Sequence, residues 1–177
     1  MKMSWSKRLF LLVNRRVGAY PWLDRIMVFC AHWLIYILLL ALLLWSSHVF
    51  GVATSLHFGI FLLFTGSSLV IAYSASYMIA LLWPHERPLR EIPTIKELIR
   101  PVNAWKSFPS DHTITVTVFA MSASLFDAPI WLRAVLWVGV VVVGCSRVYV
   151  GVHYPRDIIG GFFLALLSTL GIVHIFL

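Results

Sequence analysis

Two residues that can make and stabilise a covalent intermediate stand four positions apart in the segment Ser146-Arg147-Val148-Tyr149-Val150-Gly151-Val152-His153-Tyr154-Pro155-Arg156-Asp157. Proline is favoured at the first helical position. A helix opening at Pro155 puts Asp157 in its first turn, near the positive end of the dipole, with His153 just outside the helix and within reach. An aspartate accepting from one imidazole nitrogen fixes the tautomer and leaves the other nitrogen free to attack. Arg147, beside Ser146, adds a planar fork of donors suited to phosphate oxygens. A second segment, Phe108-Pro109-Ser110-Asp111-His112-Thr113, reads as a helix N-terminus with Ser110 as its cap. The first N–H groups of such a helix lack intrahelical partners and bind phosphate readily. His112, in that first turn, is placed to donate a proton to a leaving oxygen. His85-Glu86-Arg87-Pro88 supplies another arginine.

Singly, each segment also has an ordinary reading: a capping turn with an interfacial histidine, a snorkelling arginine beside a His–Asp pair, a positive residue flanking a span. Together they supply two histidines, an aspartate, two arginines and a helix N-terminus. That inventory fits phosphoryl transfer, in which positioning and electrostatic stabilisation supply most of the rate.

The elements that must position these residues follow from composition. Of 177 residues, 60% are hydrophobic and 12% charged, against roughly 25% charged in ordinary soluble domains. So apolar a chain excludes disorder and argues against a water-soluble enzyme. The pattern predicts an all-α integral membrane bundle of about five spans, near 26–45, 52–83, 110–126, 130–149 and 155–177. An amphipathic segment over 1–25, with Trp5, Leu9 and Phe10 among Lys2, Lys7, Arg8, Arg15 and Arg16, is expected to lie on the membrane. Residues 26–177 then form one membrane domain, and 84–111 is its long polar loop. The first apolar run is too long for a signal-peptide core and is expected to stay as an anchor. Cys30 and Cys145 sit in apolar stretches as free thiols, and His32, His48, His57 and His174 read as packing or interfacial residues. Successive spans alternate direction, so Arg87, the Ser110–His112 turn, Arg147, and His153 with Asp157 all belong on one membrane face.

Arg87-Pro88, then Pro109-Ser110-Asp111-His112, then Ser146-Arg147 with His153 and Asp157 together resemble the three-part signature of the type-2 phosphatidic acid phosphatase superfamily. The likeness covers about residues 20–177. It implies that His153 is the phosphoryl-accepting nucleophile, oriented by Asp157, and that His112 is the general acid. It implies further that Arg87, Arg147 and the Ser110-Asp111 turn bind phosphate, and that no metal or other cofactor is needed. Asp111, the Pro84–Pro88 segment and the small size are similar to the bacterial undecaprenyl-diphosphate phosphatases linked to bacitracin resistance. That branch implies a lipid diphosphate substrate, membrane lipids as surroundings, no nucleic-acid partner, and a place in the bacterial cytoplasmic membrane with the site on its outer face.

Two features depart from those expectations. The family's first motif usually carries a lysine seven residues before the arginine, where this chain has Ala80; His85, Arg90, Lys96 and Lys106 are the candidates to supply that contact. In addition, all but Arg133 of the 14 lysines and arginines fall on the site's side, which by the positive-inside rule points to the cytoplasm. The same residues would also suit a phosphatidate or phosphatidylglycerophosphate phosphatase, or the anion-binding mouth of a small channel or transporter.

Overall fold

In lipid, a segment must satisfy its own backbone N–H and C=O groups, so apolar runs without charge fold as helices. The computed structural model describes residues 3–50, 56–101 and 105–176, and its regular elements among those residues are all helical. In chain order they are α1 (Trp5–Asn14), α2 (Pro21–His32), α3 (Leu34–Phe50), α4 (Leu56–Leu82), α5 (Pro88–Glu91), α6 (Asp111–Leu125), α7 (Ile130–Tyr149) and α8 (Pro155–Phe176). Gly51 in the link between the first two predicted spans, the opening of the second span at 52–55, Lys2 and Leu177 lie outside the described residues.

Helices α4, α7 and α8 are each long and apolar enough to cross a membrane; α2 and α3 qualify as a fourth span when taken together, bent by 48°. The first apolar helix begins at Pro21 rather than Ile26, because proline's fixed φ suits the first helical position and Asp24 favours the first turn. Helix α3 runs on through Ser46 and Ser47, past the predicted end of the first span at 45. The hydroxyls of Ser46 and Ser47 donate to the carbonyls of Leu43 and Leu44 at 3.1 and 3.0 Å, satisfying themselves within the helix.

The expected third span is a different kind of element. Helix α6 has 15 residues, short of the roughly 20 that cross a bilayer alone. It packs against α3, α4, α7 and α8, and every residue from Thr113 to Ala123 is buried. A helix sheathed by protein has no lipid thickness to match, and it tolerates Thr113, Thr115, Thr117 and Ser122 where a lipid-facing helix would be apolar. Its apolar side meets Leu38 and Leu42 of α3, Phe61 of α4, and Leu132 and Leu136 of α7 in the main core. The large exposed side chains, such as Leu63, Val138 and Leu167, lie outside this core, on the face a bilayer would cover.

Helix α1 is fastened to the protein as well as amphipathic. Phe10 is fully buried and meets the Tyr154 ring edge-on at 5.2 Å. Ser6 Oγ accepts from the Arg156 N–H at 3.1 Å, satisfying one of the otherwise orphaned donors at the start of α8. Asn14 pairs with the backbone of Lys96 at 2.7 and 3.0 Å, and Lys7 bonds Glu91 at 2.8 Å. Trp5, Leu9 and Leu12 remain exposed on its other side. The segment thus clamps the polar loop against α7 and α8.

Candidate active site

Pro155 opens α8, and Asp157 in its first turn has no exposed surface. Its Oδ2 accepts from Ser107 Oγ at 2.7 Å and from the Tyr154 N–H at 2.9 Å. His153 Nδ1 stands 3.5 Å from that same oxygen. The carboxylate is therefore held by two donors independently of the histidine, and the imidazole nitrogen stands beside that fixed acceptor without yet closing a hydrogen bond to it. Gly151 makes the preceding turn possible: its φ is +90°, and a Cβ there would lie 2.7 Å from the Lys96 carbonyl oxygen. Burial pushes the His153 pKa down to about 4; Asp157 opposes that shift, while Arg147 and Arg87 add to it. So depressed a pKa leaves the imidazole neutral near pH 7, the form that can attack phosphorus.

Each arginine is anchored to a backbone carbonyl. Arg87 Nη1 donates to the Val152 carbonyl at 2.9 Å, next to His153, and Arg147 Nη1 donates to the Ala31 carbonyl at 3.0 Å. Arg147 is buried and its Nε has no hydrogen-bond partner. Burial lowers the Arg87 pKa, with Asp157, Asp111 and Glu97 opposing the shift. Arg147, a buried cation held by a carbonyl with its Nε unpartnered, is poised for an anion.

Helix α6 starts where it can serve these groups. The Ser110 N–H donates to the Asp157 carbonyl at 3.0 Å, which ties the start of α6 to the start of α8. The contact is close enough to require glycine opposite: a Cβ on Gly161 would lie 2.7 Å from the Ser110 carbonyl oxygen. Ser110 occupies the N-cap position, but its hydroxyl accepts from Thr113 Oγ1 at 3.2 Å instead of capping a backbone N–H. Asp111 pairs with Lys106 and accepts from Ser76 Oγ at 3.2 Å.

These residues surround a cavity of about 230 Å³ lined by His32, Tyr36, Arg87, Ile99, Arg100, Pro101, Lys106, Pro109, Asp111, His112, Arg147 and His153. Arg87, Asp111, His112, Arg147 and His153, drawn from three distant stretches of sequence, face one space. Asp157 stands behind His153, and Ser110 is buried behind the α6 turn. Among the accessory candidates only Lys106 lines the cavity. His85 lies 5.3 Å from the Phe108 ring with its Nδ1 2.9 Å from the Trp83 carbonyl, and Arg90 is exposed on α5. Lys96 Nζ donates to the Val17 carbonyl at 2.7 Å, and Ser146 Oγ donates to the Val143 carbonyl at 2.7 Å. Among the described residues no three His, Cys, Asp or Glu side chains gather as metal ligands would.

Sequence reasoning missed three lining residues of note. His32, read as packing or interfacial, lines the cavity because the helix breaks immediately after it, at Trp33; Tyr36 follows one turn later. The rings of His32, Trp33 and Tyr36 pack together at the break. Arg100 is the third. The only advance signal was a histidine beside aromatics in an otherwise apolar run.

The PAP2 superfamily pattern matches residues 61–177. The chain is 32% identical over 163 residues to YbjG of Escherichia coli (strain K12), covering 92% of this chain and 78% of that protein. It is 35% identical over 148 residues to undecaprenyl-diphosphatase BcrC of Bacillus subtilis (strain 168), covering 82% and 70% respectively. The crystal structure of Aquifex aeolicus LpxE has the same fold, with a TM-score of 0.77 at 20% identity over 98% of this chain and 97% of that one. The matched region carries Arg87, His112, Arg147 and His153 on the helices and loops that bring them together, and the chain belongs to the PAP2 superfamily as a membrane-spanning phosphatase.

Proposed function

We propose that the protein hydrolyses undecaprenyl diphosphate to undecaprenyl phosphate through a phosphohistidine at His153, returning the cell-wall carrier lipid for reuse. The observation that carries this reading is the neutral, buried His153, backed by Asp157 and facing two anchored arginines in a cation-rich cavity. The name of the Bacillus subtilis relative supports the substrate.

In the first step His153 Nε2 attacks the terminal phosphorus. A P–N bond forms, the bridging P–O bond breaks, and undecaprenyl phosphate leaves with a proton from His112, which the imidazole takes up when the negatively charged diphosphate enters beside it. Arg87 and Arg147 hold the equatorial oxygens, and Asp157 stabilises the positive charge that appears on the imidazole. Water, deprotonated by His112, then attacks phosphorus. The P–N bond breaks, inorganic phosphate leaves and His153 returns to neutral. The helix break lined by His32 and Tyr36 is the side from which a lipid diphosphate reaches the cavity.

The test is phosphate release by purified protein from polyprenyl and glycerolipid substrates, with His153→Ala as the control. Undecaprenyl diphosphate should be turned over well ahead of phosphatidate and phosphatidylglycerophosphate. The variant should be folded, inactive and free of the acid-labile phosphoenzyme trapped in the parent. Full activity in the variant removes the mechanism; preference for a glycerolipid removes the substrate.

The same reading puts the protein in the bacterial cytoplasmic membrane with the site outward. Six of the basic residues on the site's side have other work: Arg87, Arg100, Lys106 and Arg147 line the cavity, Lys7 pairs with Glu91, and Lys96 holds Val17. That weakens their weight as topology signals. Labelling Glu86→Cys or Ile130→Cys with an impermeant reagent in intact cells, in a chain with Cys30 and Cys145 changed to serine, decides the matter. Labelling at position 130 alone would put the site inside.

A further inference from the structure

Lysine is almost never buried without a reason, and Lys106 is 3% exposed in the loop just before α6. Its ammonium is bonded to Asp111 and lies 4.5 Å from the centre of the Tyr77 ring on α4. Both Lys106 and Asp111 line the cavity, and the Asp111 side chain is 34% exposed. The pair is therefore a cation kept in the wall by a carboxylate that remains open to the space in front of it.

The pair is held from a different element than the two arginines. Arg147 is anchored on α2 through Ala31, and Arg87 on the loop beside His153 through Val152. Lys106 and Asp111 are anchored on α4 through Tyr77 and Ser76. One set of donors is thus tied to α2 and the loop before His153, and the other to α4. The charge count agrees. The cavity is lined by Arg87, Arg100, Lys106 and Arg147 against the single carboxylate of Asp111. A terminal phosphate carries roughly two negative charges near neutrality, so a surplus of three positive charges leaves room for a second phosphate.

We propose that Lys106, held by Asp111, forms a second-phosphate subsite that makes the cavity select a diphosphate over a monophosphate. The inference rests on the phosphoryl-transfer reading above. When substrate enters, the terminal phosphate takes Arg87 and Arg147 against His153, and the phosphate nearer the lipid takes Lys106. Lys106 then stabilises the charge left on the departing lipid phosphate as the bridging bond breaks. Asp111 keeps the lysine buried and in place while the site is empty.

The experiment compares competitive inhibition by inorganic pyrophosphate and by orthophosphate, together with kcat/KM for a polyprenyl diphosphate. The parent should bind pyrophosphate more tightly than orthophosphate. Lys106→Met combined with Asp111→Asn, which removes both charges, should lose that preference and lower kcat/KM by about ten- to hundredfold, the range for losing a hydrogen bond to a charged group. Lys106→Arg should keep the preference. Asp111→Asn alone frees the lysine and should tighten pyrophosphate several-fold, a gain that misfolding cannot produce. A parent with no activity on the diphosphate lipid defeats the functional reading itself. An active parent whose pyrophosphate-to-orthophosphate ratio is unmoved by both the double variant and Asp111→Asn overturns the subsite alone.

Discussion

Replacing Asp157 by asparagine isolates the charge behind the nucleophile. The amide oxygen can still accept from the Ser107 hydroxyl and the Tyr154 N–H, now at 2.7 and 2.9 Å, so the start of α8 should keep its shape. What disappears is a full negative charge 3.5 Å from His153 Nδ1. At that distance, and with an effective dielectric of ~20, the attraction between unit charges is about 5 kcal/mol. It acts fully only once the imidazole has become positive by bonding to phosphorus. The amide dipole retains part of it, leaving a loss of about 3–4 kcal/mol in the transition state, or roughly 10²- to 10³-fold in kcat/KM. The assay is steady-state phosphate release from a polyprenyl diphosphate in detergent, with thermal unfolding followed alongside. Removing the carboxylate also removes what holds the His153 pKa up, so the acid limb of the pH profile should move below its parent position. A folded Asp157→Asn protein with more than one-tenth of parental kcat/KM would refute the role given to this charge.

Three further outcomes are expected. Because burial holds His153 near a pKa of about 4, kcat/KM should fall with acid only as pH drops through about 4. The same depressed pKa means that stability contributed by neutral His153 is complete above about 6.5 and is lost as pH falls from there toward 4, which unfolding midpoints across that window will show. Gly161→Ala places a methyl carbon 2.7 Å from the Ser110 carbonyl oxygen and 3.2 Å from Thr113 Cβ. It should cost about 1–3 kcal/mol of stability and lower activity at least tenfold by pushing the starts of α6 and α8 apart. Arg147→Lys cannot hold the Ala31 carbonyl and a phosphate with one fork; KM for the diphosphate should rise by about tenfold or more while the melting temperature changes little.

The site was legible in the sequence because its chemistry sits at helix ends, where residue types have few alternative uses. Pro155 and Asp157 announce a helix start, and a histidine just ahead of it has one obvious neighbour. Alternation of spans was enough to put Arg87, His112, Arg147 and His153 together. The contributions of His32 and Arg100 were hidden, since they depend on a bend at Trp33 and on how a loop folds back. Hydropathy reports lipid, and it therefore described α4, α7 and α8 well and α6 poorly. It also could not say that Lys96 would hold the N-terminal segment and Lys106 the cavity, because the two lysines differ only in tertiary surroundings.

Helix α6 carries a further consequence, for how the protein is made. It is too short, and too rich in threonine and serine, to settle in a bilayer by its own partitioning. The turn between Phe126 and Pro129 joins it to α7, which is long and apolar enough to cross a membrane, so α6 is expected to enter with α7 as a hairpin. His112 travels with it. On the proposed mechanism activity is then the last property to appear: α6 packs between α4 and α8, so His112 and His153 should share one cavity only in the fully assembled bundle.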